Sequence, residues 1–197
     1  DRLWAVDGLR RGNALYVYYL RIRITEPGKA FGFRMEGVGI ARWEVPPSWR
    51  PGQAIAFRRL PDLFAGNAPA FGASVTERSG MVYTIGQYVD KNGASSVKLA
   101  RSPLEGIDDS RAYEFLAADG SWVRSLDRAH GFFGDVAGEC SLSFDEGRGE
   151  YTIVYCSVEN GVIKVVRFGE FDAIASVRAL TVYEPPALPG GGQFPVE

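Results

Sequence analysis

One histidine, His130, and two cysteines in 197 residues leave little material for the chemistries that depend on those side chains. A multi-histidine metal centre is excluded, and so is a Ser-His-Asp arrangement with a choice of base. No DxDxDG spacing marks a cation loop, no GxxxxGK run cradles phosphate, and no Rossmann glycine fingerprint opens a helix, which disfavours nucleotide chemistry. Charge of one sign is equally scarce. The 22 basic and 24 acidic residues give a formal charge of -2, with no basic stripe for nucleic acid and no polybasic membrane anchor. No apolar run approaches the roughly 18 to 20 residues that span a bilayer, and no signal peptide is visible. The chain starts at Asp1 rather than Met, so an upstream segment is expected, and localisation is not written in these residues.

What the sequence does hold is apolar content of 46%, enough to bury a sizeable core, and a phrase that occurs three times. VGIAR ends at Arg42, VKLAR at Arg101 and IKVVR at Arg167, 59 and 66 residues apart. Each copy is an apolar, β-branched run closing on arginine, preceded by strand-rich sequence with a glycine-containing turn. The first unit reads as residues 4–9, a turn at Arg11-Gly12-Asn13, Leu15 to Tyr19, VGIAR, then Ala54 to Arg58 after Pro51-Gly52. The second runs Phe71 to Thr76, a turn at Arg78-Ser79-Gly80, Met81 to Ile85, Val97 to Arg101 and Ala112 to Leu116. The third runs Glu139 to Phe144, a turn at Gly147 to Gly149, Tyr151 to Cys156, Ile163 to Arg167 and Leu180 to Tyr183.

Three four-stranded antiparallel meanders of this size predict an all-β fold of the β-propeller type, because such sheets bury their faces only against neighbouring sheets. The blades are expected at about residues 1–65, 66–130 and 131–188, with 189–197, around Gly190-Gly191-Gly192, as a loop or tail. Propellers close with roughly four to eight blades, so three predict an incomplete ring whose missing blades belong to the same protein. A three-sheet prism or an open stack fits the same pattern.

The combination of DGLRRGNALYVYY, FGASVTERSGMVYTIGQY with VKLARSPLEGI, and GECSLSFDEGRGEYTIVYCS with IKVVRF and VYEPP resembles the five-bladed propeller glycoside hydrolases. It is most similar to a bacterial family that includes endo-D-arabinanases acting on mycobacterial cell-wall arabinan. The likeness covers nearly the whole chain, through structural blade phrases rather than a diagnostic catalytic signature. It implies three consecutive blades of five, inner strands lining a channel, a furanose-containing polysaccharide or oligosaccharide at its mouth, and catalytic carboxylates on inner strands of different blades. A secreted or periplasmic enzyme follows from that likeness, with no cofactor beyond an ion in the channel.

Two acids occupy such places, Asp7 in WAVDGL and Glu139 in GECSLSF. Glycoside hydrolysis needs one carboxyl to protonate the leaving oxygen and another to attack or to activate water. Glu139 is expected as general acid and Asp7 as base, nucleophile or pKa-tuning partner, each beside a glycine that leaves its carboxylate accessible. An acid near a hairpin equally serves as a solvated edge charge or a turn cap. The middle inner strand carries no acid before Glu77, so a third would come from an absent blade or a loop, where Asp135 in GFFGDVAGE stands. Sugar-contacting candidates are Trp4 and Phe71 near inner-strand starts, and His130, Phe133 and Asp135 in the loop entering the third blade. The alternative function is a non-catalytic propeller binding glycan or protein.

The remaining features read as structure. Tyr16, Tyr18, Tyr83, Tyr151 and Tyr155 fall on second strands and predict packing between blades, while Trp43, Trp49 and Trp122 fall near outer strands. Arg42, Arg101 and Arg167 recur in every unit and so serve the unit, by strand-end ion pairs or hydrogen bonds. A hairpin turning about Arg148 would place Cys140 opposite Cys156, within disulfide reach, with two buried thiols as the alternative; a slip of one residue would put the sulfurs on opposite faces.

Overall fold

The computed structural model describes residues 2–29, 31–158 and 161–186, and the 189–197 tail with its three glycines lies outside them. Three antiparallel sheets follow one another along the chain. The first is built from β1 (Arg2–Arg11), β2 (Ala14–Ile24) and β3 (Phe33–Glu44), with the two-residue strands β4 (Arg58–Arg59) and β5 (Phe64–Ala65) both laid on β3. The second runs through β6 (Ser74–Arg78), β7 (Met81–Val89), β8 (Ser95–Pro103), β9 (Glu114–Leu116) and β10 (Trp122–Val123). The third is β11 (Val136–Asp145), β12 (Glu150–Ser157), β13 (Ile163–Phe168) and β14 (Leu180–Tyr183). This is the architecture of a partial β-propeller.

The strands form where the side-chain period is two. In β12, Tyr151, Ile153, Tyr155 and Ser157 are buried while Glu150, Thr152, Val154 and Cys156 are half-buried, so one face packs and the other is shared with solvent. The β6–β7 hairpin closes on Ser79 and Gly80, both left-handed at φ 53° and 77°, between the paired Arg78 and Met81. Two positive φ values match the right-handed twist of the flanking strands, and the glycine meets that demand without strain.

Three expectations need correction. Ala54 to Phe57 is not a strand: the segment is exposed, Phe57 meets β3 only through the Trp43 ring, and the ladder begins only at Arg58. The second sheet starts at Ser74 rather than Phe71, because the chain before it wedges between sheets; Gly72, at φ 95°, lies so close to Tyr18 that a Cβ would sit 2.4 Å from that residue's own. The first two sheets also each carry a fifth short strand.

The core lies between sheets, in two clusters. Tyr16, Tyr18, Val38, Ile40, Phe64, Phe71 and Phe115 fill the first. Ile85, Leu99, Phe132, Tyr151, Ile153, Phe168 and Phe171 fill the second. The middle sheet feeds both, with Val82 and Ala100 on one side and Ile85, Val97 and Leu99 on the other. Tyr18 and Tyr113 join their hydroxyls at 2.7 Å inside the first cluster, and Tyr113 donates onward to the Ile107 carbonyl at 2.7 Å. Burial holds both phenols well above their ordinary pKa, so the chain of donors stays intact. Outside the stack the two end faces differ. The first sheet carries an ion-paired network of Arg21 with Asp62 and of Arg23 and Arg34 with Glu36. The third exposes an apolar groove lined by Val165, Val177, Leu180 and Val182 with Arg167 and Arg178.

Phe71 is fully buried, its ring 5.3 Å from Phe64 and 5.8 Å from Phe115, so the sugar contact expected of it is withdrawn. Truncation by Phe71→Ala is expected to cost about 3–5 kcal/mol, read as a lower urea midpoint with unchanged slope. A substitution that leaves the midpoint in place would remove Phe71 from the core.

The two cysteines are free. Asp145 pairs with Glu150 across a four-residue loop, its carboxylate accepting from the Gly147 and Arg148 amides, and this shifts the register so that Cys140 faces Tyr155. Cys156 therefore lies on the opposite face, and no disulfide joins them. Burial pushes the Cys140 thiol up to about 12. Two thiols should titrate in denaturant without reductant, while in the native protein at pH 8 Cys140 should react far more slowly than Cys156. Recovery of a thiol only after reduction would contradict this register.

Candidate active site at the first strands

The first strand of each sheet is its edge, and the three edges lie side by side: β1 packs on β6, and β6 on β11. Both sequence-selected acids sit at breaks in those strands. In β1 pairing stops after Ala5↔Tyr19 and resumes at Gly8↔Val17, so Val6 and Asp7 oppose Tyr18 alone. In β11 it stops after Val136↔Ser157 and resumes at Cys140↔Tyr155, so Ala137, Gly138 and Glu139 oppose Cys156 alone. Each acid is the last residue of a β-bulge, a device that re-aims side chains at strand edges. The β6 ladder, from Ser74↔Ile85 to Arg78↔Met81, is unbroken.

The acids also share a level. The Asp7 amide donates to the Gly72 carbonyl at 3.1 Å, and its Oδ2 accepts from the Val75 amide at 2.8 Å. On the other side of β6, Ser74 Oγ donates to the Leu142 carbonyl at 3.2 Å and Gln87 Nε2 donates to the Val136 carbonyl at 2.8 Å. Glu139 lies midway between Val136 and Leu142. Asp7 thus meets β6 at Gly72 and Val75, while the β11 segment that carries Glu139 is tied to the middle sheet at Val136 and Leu142.

Their surroundings differ. Asp7 is half-buried, with Oδ1 taking the Gly8 amide at 2.8 Å and Oδ2 the Val75 amide, so its carboxylate is less open than the adjacent glycine suggested. Gly8 is required for another reason: a Cβ there would fall 2.3 Å from the Tyr16 carbonyl oxygen. A carboxylate offers about four lone-pair sites, so roughly two remain for a ligand. Glu139 is exposed.

Trp4 is 41% exposed at the start of β1, edge-on to Phe33 at 4.6 Å. His130 is exposed and edge-on to Phe132 at 4.8 Å. Phe133, half-buried and left-handed at φ 51°, stacks on Tyr155 at 6.0 Å. Asp135, left-handed at φ 68°, accepts from Ser157 Oγ and, at 2.7 Å, from Lys164 Nζ, so its carboxylate is engaged within the third sheet. Sequence reasoning missed Gln87, Ser157 and Lys164, and also Lys98, whose ammonium lies 4.1 Å over the Tyr88 ring and is pushed down in pKa by burial against the opposing pull of Asp127. A signal for the two lysines was present, since both hold the second place of the repeated phrase. Two of the arginines that close the phrase act locally: Arg101 pairs with Glu114 at 2.8 Å over Trp122, and Arg42 pairs with Glu44 over Tyr16, while Arg167 is exposed at the groove of the third sheet. Among the described residues, no group of three or more His, Cys, Asp or Glu is placed to hold a metal ion.

No protein-family model matches the chain, and no curated protein does. Solved structures do. A candidate hydrolase from Bacteroides ovatus aligns with a TM-score of 0.66 at 16% identity over 93% of this chain and 46% of its own. A β-xylosidase aligns at 0.55 and 15% identity, over 86% of this chain and 56% of its own. A GH32 β-fructofuranosidase from Bombyx mori aligns at 0.51 and 13% identity, over 91% of this chain and 35% of its own. At 13–16% identity these likenesses show the fold alone, that of a partial β-propeller. The chain spans about half the length of the first two.

Removing the Asp7 carboxylate leaves the Gly8 and Val75 amides without their acceptor at the contact between β1 and β6. Asp7→Ala is expected to cost about 1–3 kcal/mol in stability, read by thermal or urea unfolding. An unchanged midpoint would show that the two amides find water as readily.

Proposed function

We propose that this chain is the acid-bearing part of a propeller glycoside hydrolase acting on a furanose-containing polysaccharide such as arabinan, with Glu139 as general acid and Asp7 as its base, nucleophile or pKa-tuning partner. The observation that supports the reading is that both acids end bulges of first strands, on sheets that pack on either side of β6. Hydrolysis needs two carboxyl groups held on either side of one glycosidic bond, and rigid strands hold them better than loops. The backbone amides fix the orientation of Asp7, and the exposure of Glu139 lets it reach a leaving oxygen. Trp4 supplies a ring for an apolar sugar face, and His130 and Phe133 stand in the loop leading to β11. The neighbours' names support carbohydrate as the substrate class, and one of them is named for a furanoside.

The apolar groove of the third sheet supports a further sheet of the same protein packing there, as the second and third sheets pack on one another, so activity is expected of the full-length protein. A secreted or periplasmic setting suits a polysaccharide substrate. The second reading, a propeller that binds glycan without cleaving it, is favoured by the two amides that already occupy Asp7.

The discriminating experiment is oligosaccharide release from arabinan by the full-length protein and its Glu139→Gln variant. The variant is expected to lose about 100-fold or more in kcat while retaining the fold. Release by both proteins alike would remove Glu139 from the mechanism; no release by either, with arabinan still bound, would establish the binding reading.

A further inference from the structure

The bulge that presents Glu139 is clamped at both ends, and the clamp comes from residues with no other evident task. At its far end Cys140 is buried and paired with Tyr155. At its near end four hydrogen bonds converge on Asp135 and Val136. The Asp135 carboxylate takes Ser157 Oγ and Lys164 Nζ, from the ends of β12 and β13. The Asp135 carbonyl takes the Val158 amide at 2.7 Å. The Val136 carbonyl takes Gln87 Nε2 from the middle sheet. Ser157 is 1% exposed, and the Asp135 and Lys164 side chains retain 17% and 24% of their accessibility, so the contacts are largely shielded from water. Shielding strengthens such a charge-assisted pair and holds its geometry.

The backbone here is also under constraint. Phe133 and Asp135 are both left-handed, a conformation that costs a residue with a Cβ and persists only where neighbours over-determine it. Here the neighbours are the Tyr155 ring under Phe133 and the Ser157–Lys164 pair on Asp135. A free Asp135 would let residues 133–136 relax, and the three unpaired residues that follow would lose their anchor.

We propose that Asp135, Ser157 and Lys164 form a positioning network for Glu139, fixing the start of its bulge so that the carboxyl meets the glycosidic oxygen in one orientation. The proposal rests on the reading of Glu139 as the general acid. It reassigns Asp135 from sugar contact to support, and it gives the lysine of IKVVR a function that the phrase alone did not reveal.

The test uses the full-length protein with two readouts. Hydrogen exchange follows the amides of residues 137–139, and steady-state release from arabinan separates kcat from KM. Lys164→Met, and Ser157→Ala as the milder change, are expected to speed exchange at 137–139 without affecting the centres of β12 and β13. Both should lower kcat, by up to about 100-fold for a misplacement near 1 Å, with KM within about twofold. Lys164→Arg, which keeps the charge and a donor, should recover most of the loss. Exchange at 137–139 unchanged from the parent protein in both variants overturns the positioning role whatever Glu139 does. A loss carried by KM alone makes the network a substrate contact and overturns it too. Faster exchange with no change in kcat leaves a clamp that positions nothing for chemistry, a third overturning result, whereas failure of Glu139 as the acid is read separately from Glu139→Gln.

Discussion

Everything in this molecule hangs on the middle sheet being buried on both faces. A twisted antiparallel sheet with two apolar faces has no stable existence alone, and here each face meets aromatic rings supplied by a neighbour: Tyr16, Tyr18 and Phe64 on one side, Tyr151, Phe168 and Phe171 on the other. The first strands share in that packing, and as the sheet edges they are brought together, β1 on β6 and β6 on β11. The proposed site depends on that arrangement, since edges are where bulges are tolerated and where carboxylates can face a ligand.

The contacts between the edges are polar while those farther out are apolar. Asp7 reaches across to the β6 backbone, Ser74 reaches to β11, and Gln87 reaches to the residue that opens the β11 bulge. Side-chain bonds to main-chain groups at these places satisfy amides and carbonyls that edge strands leave without ladder partners. They also tie each acid to a neighbouring sheet rather than only to its own. A change in how the sheets sit against one another would therefore move the acids relative to one another.

The sequence spoke clearly where hydrophobic period and turn chemistry agree. The runs at Tyr151 to Cys156 and Leu180 to Tyr183, and the Ser79-Gly80 turn, need only alternation and a left-handed pair to be read. Ala54 to Phe57 misled because a strand also needs a partner face, which composition does not display. Phe71 misled for the converse reason: it lies near an inner-strand start in sequence, but the left-handed Gly72 turns it into the core. For the site, Asp7 and Glu139 were legible as acids on first strands, but the bulges were not, because a bulge is a difference in count between two strands. The link from Asp135 to Lys164 spans two strands and escapes any reading of local spacing.

The bulges bear on how such a chain can change. A residue inside a regular ladder is held by its opposite partner and its face, so replacing it disturbs both. Three residues of β11, ending at Glu139, share a single opposite residue and leave Glu139 exposed, so its identity is nearly decoupled from folding. Mutation can sample that position freely, so whatever chemistry Glu139 serves could be gained or lost without remaking the scaffold. Asp7 lacks that liberty, because the joint between two sheets depends on its carboxylate.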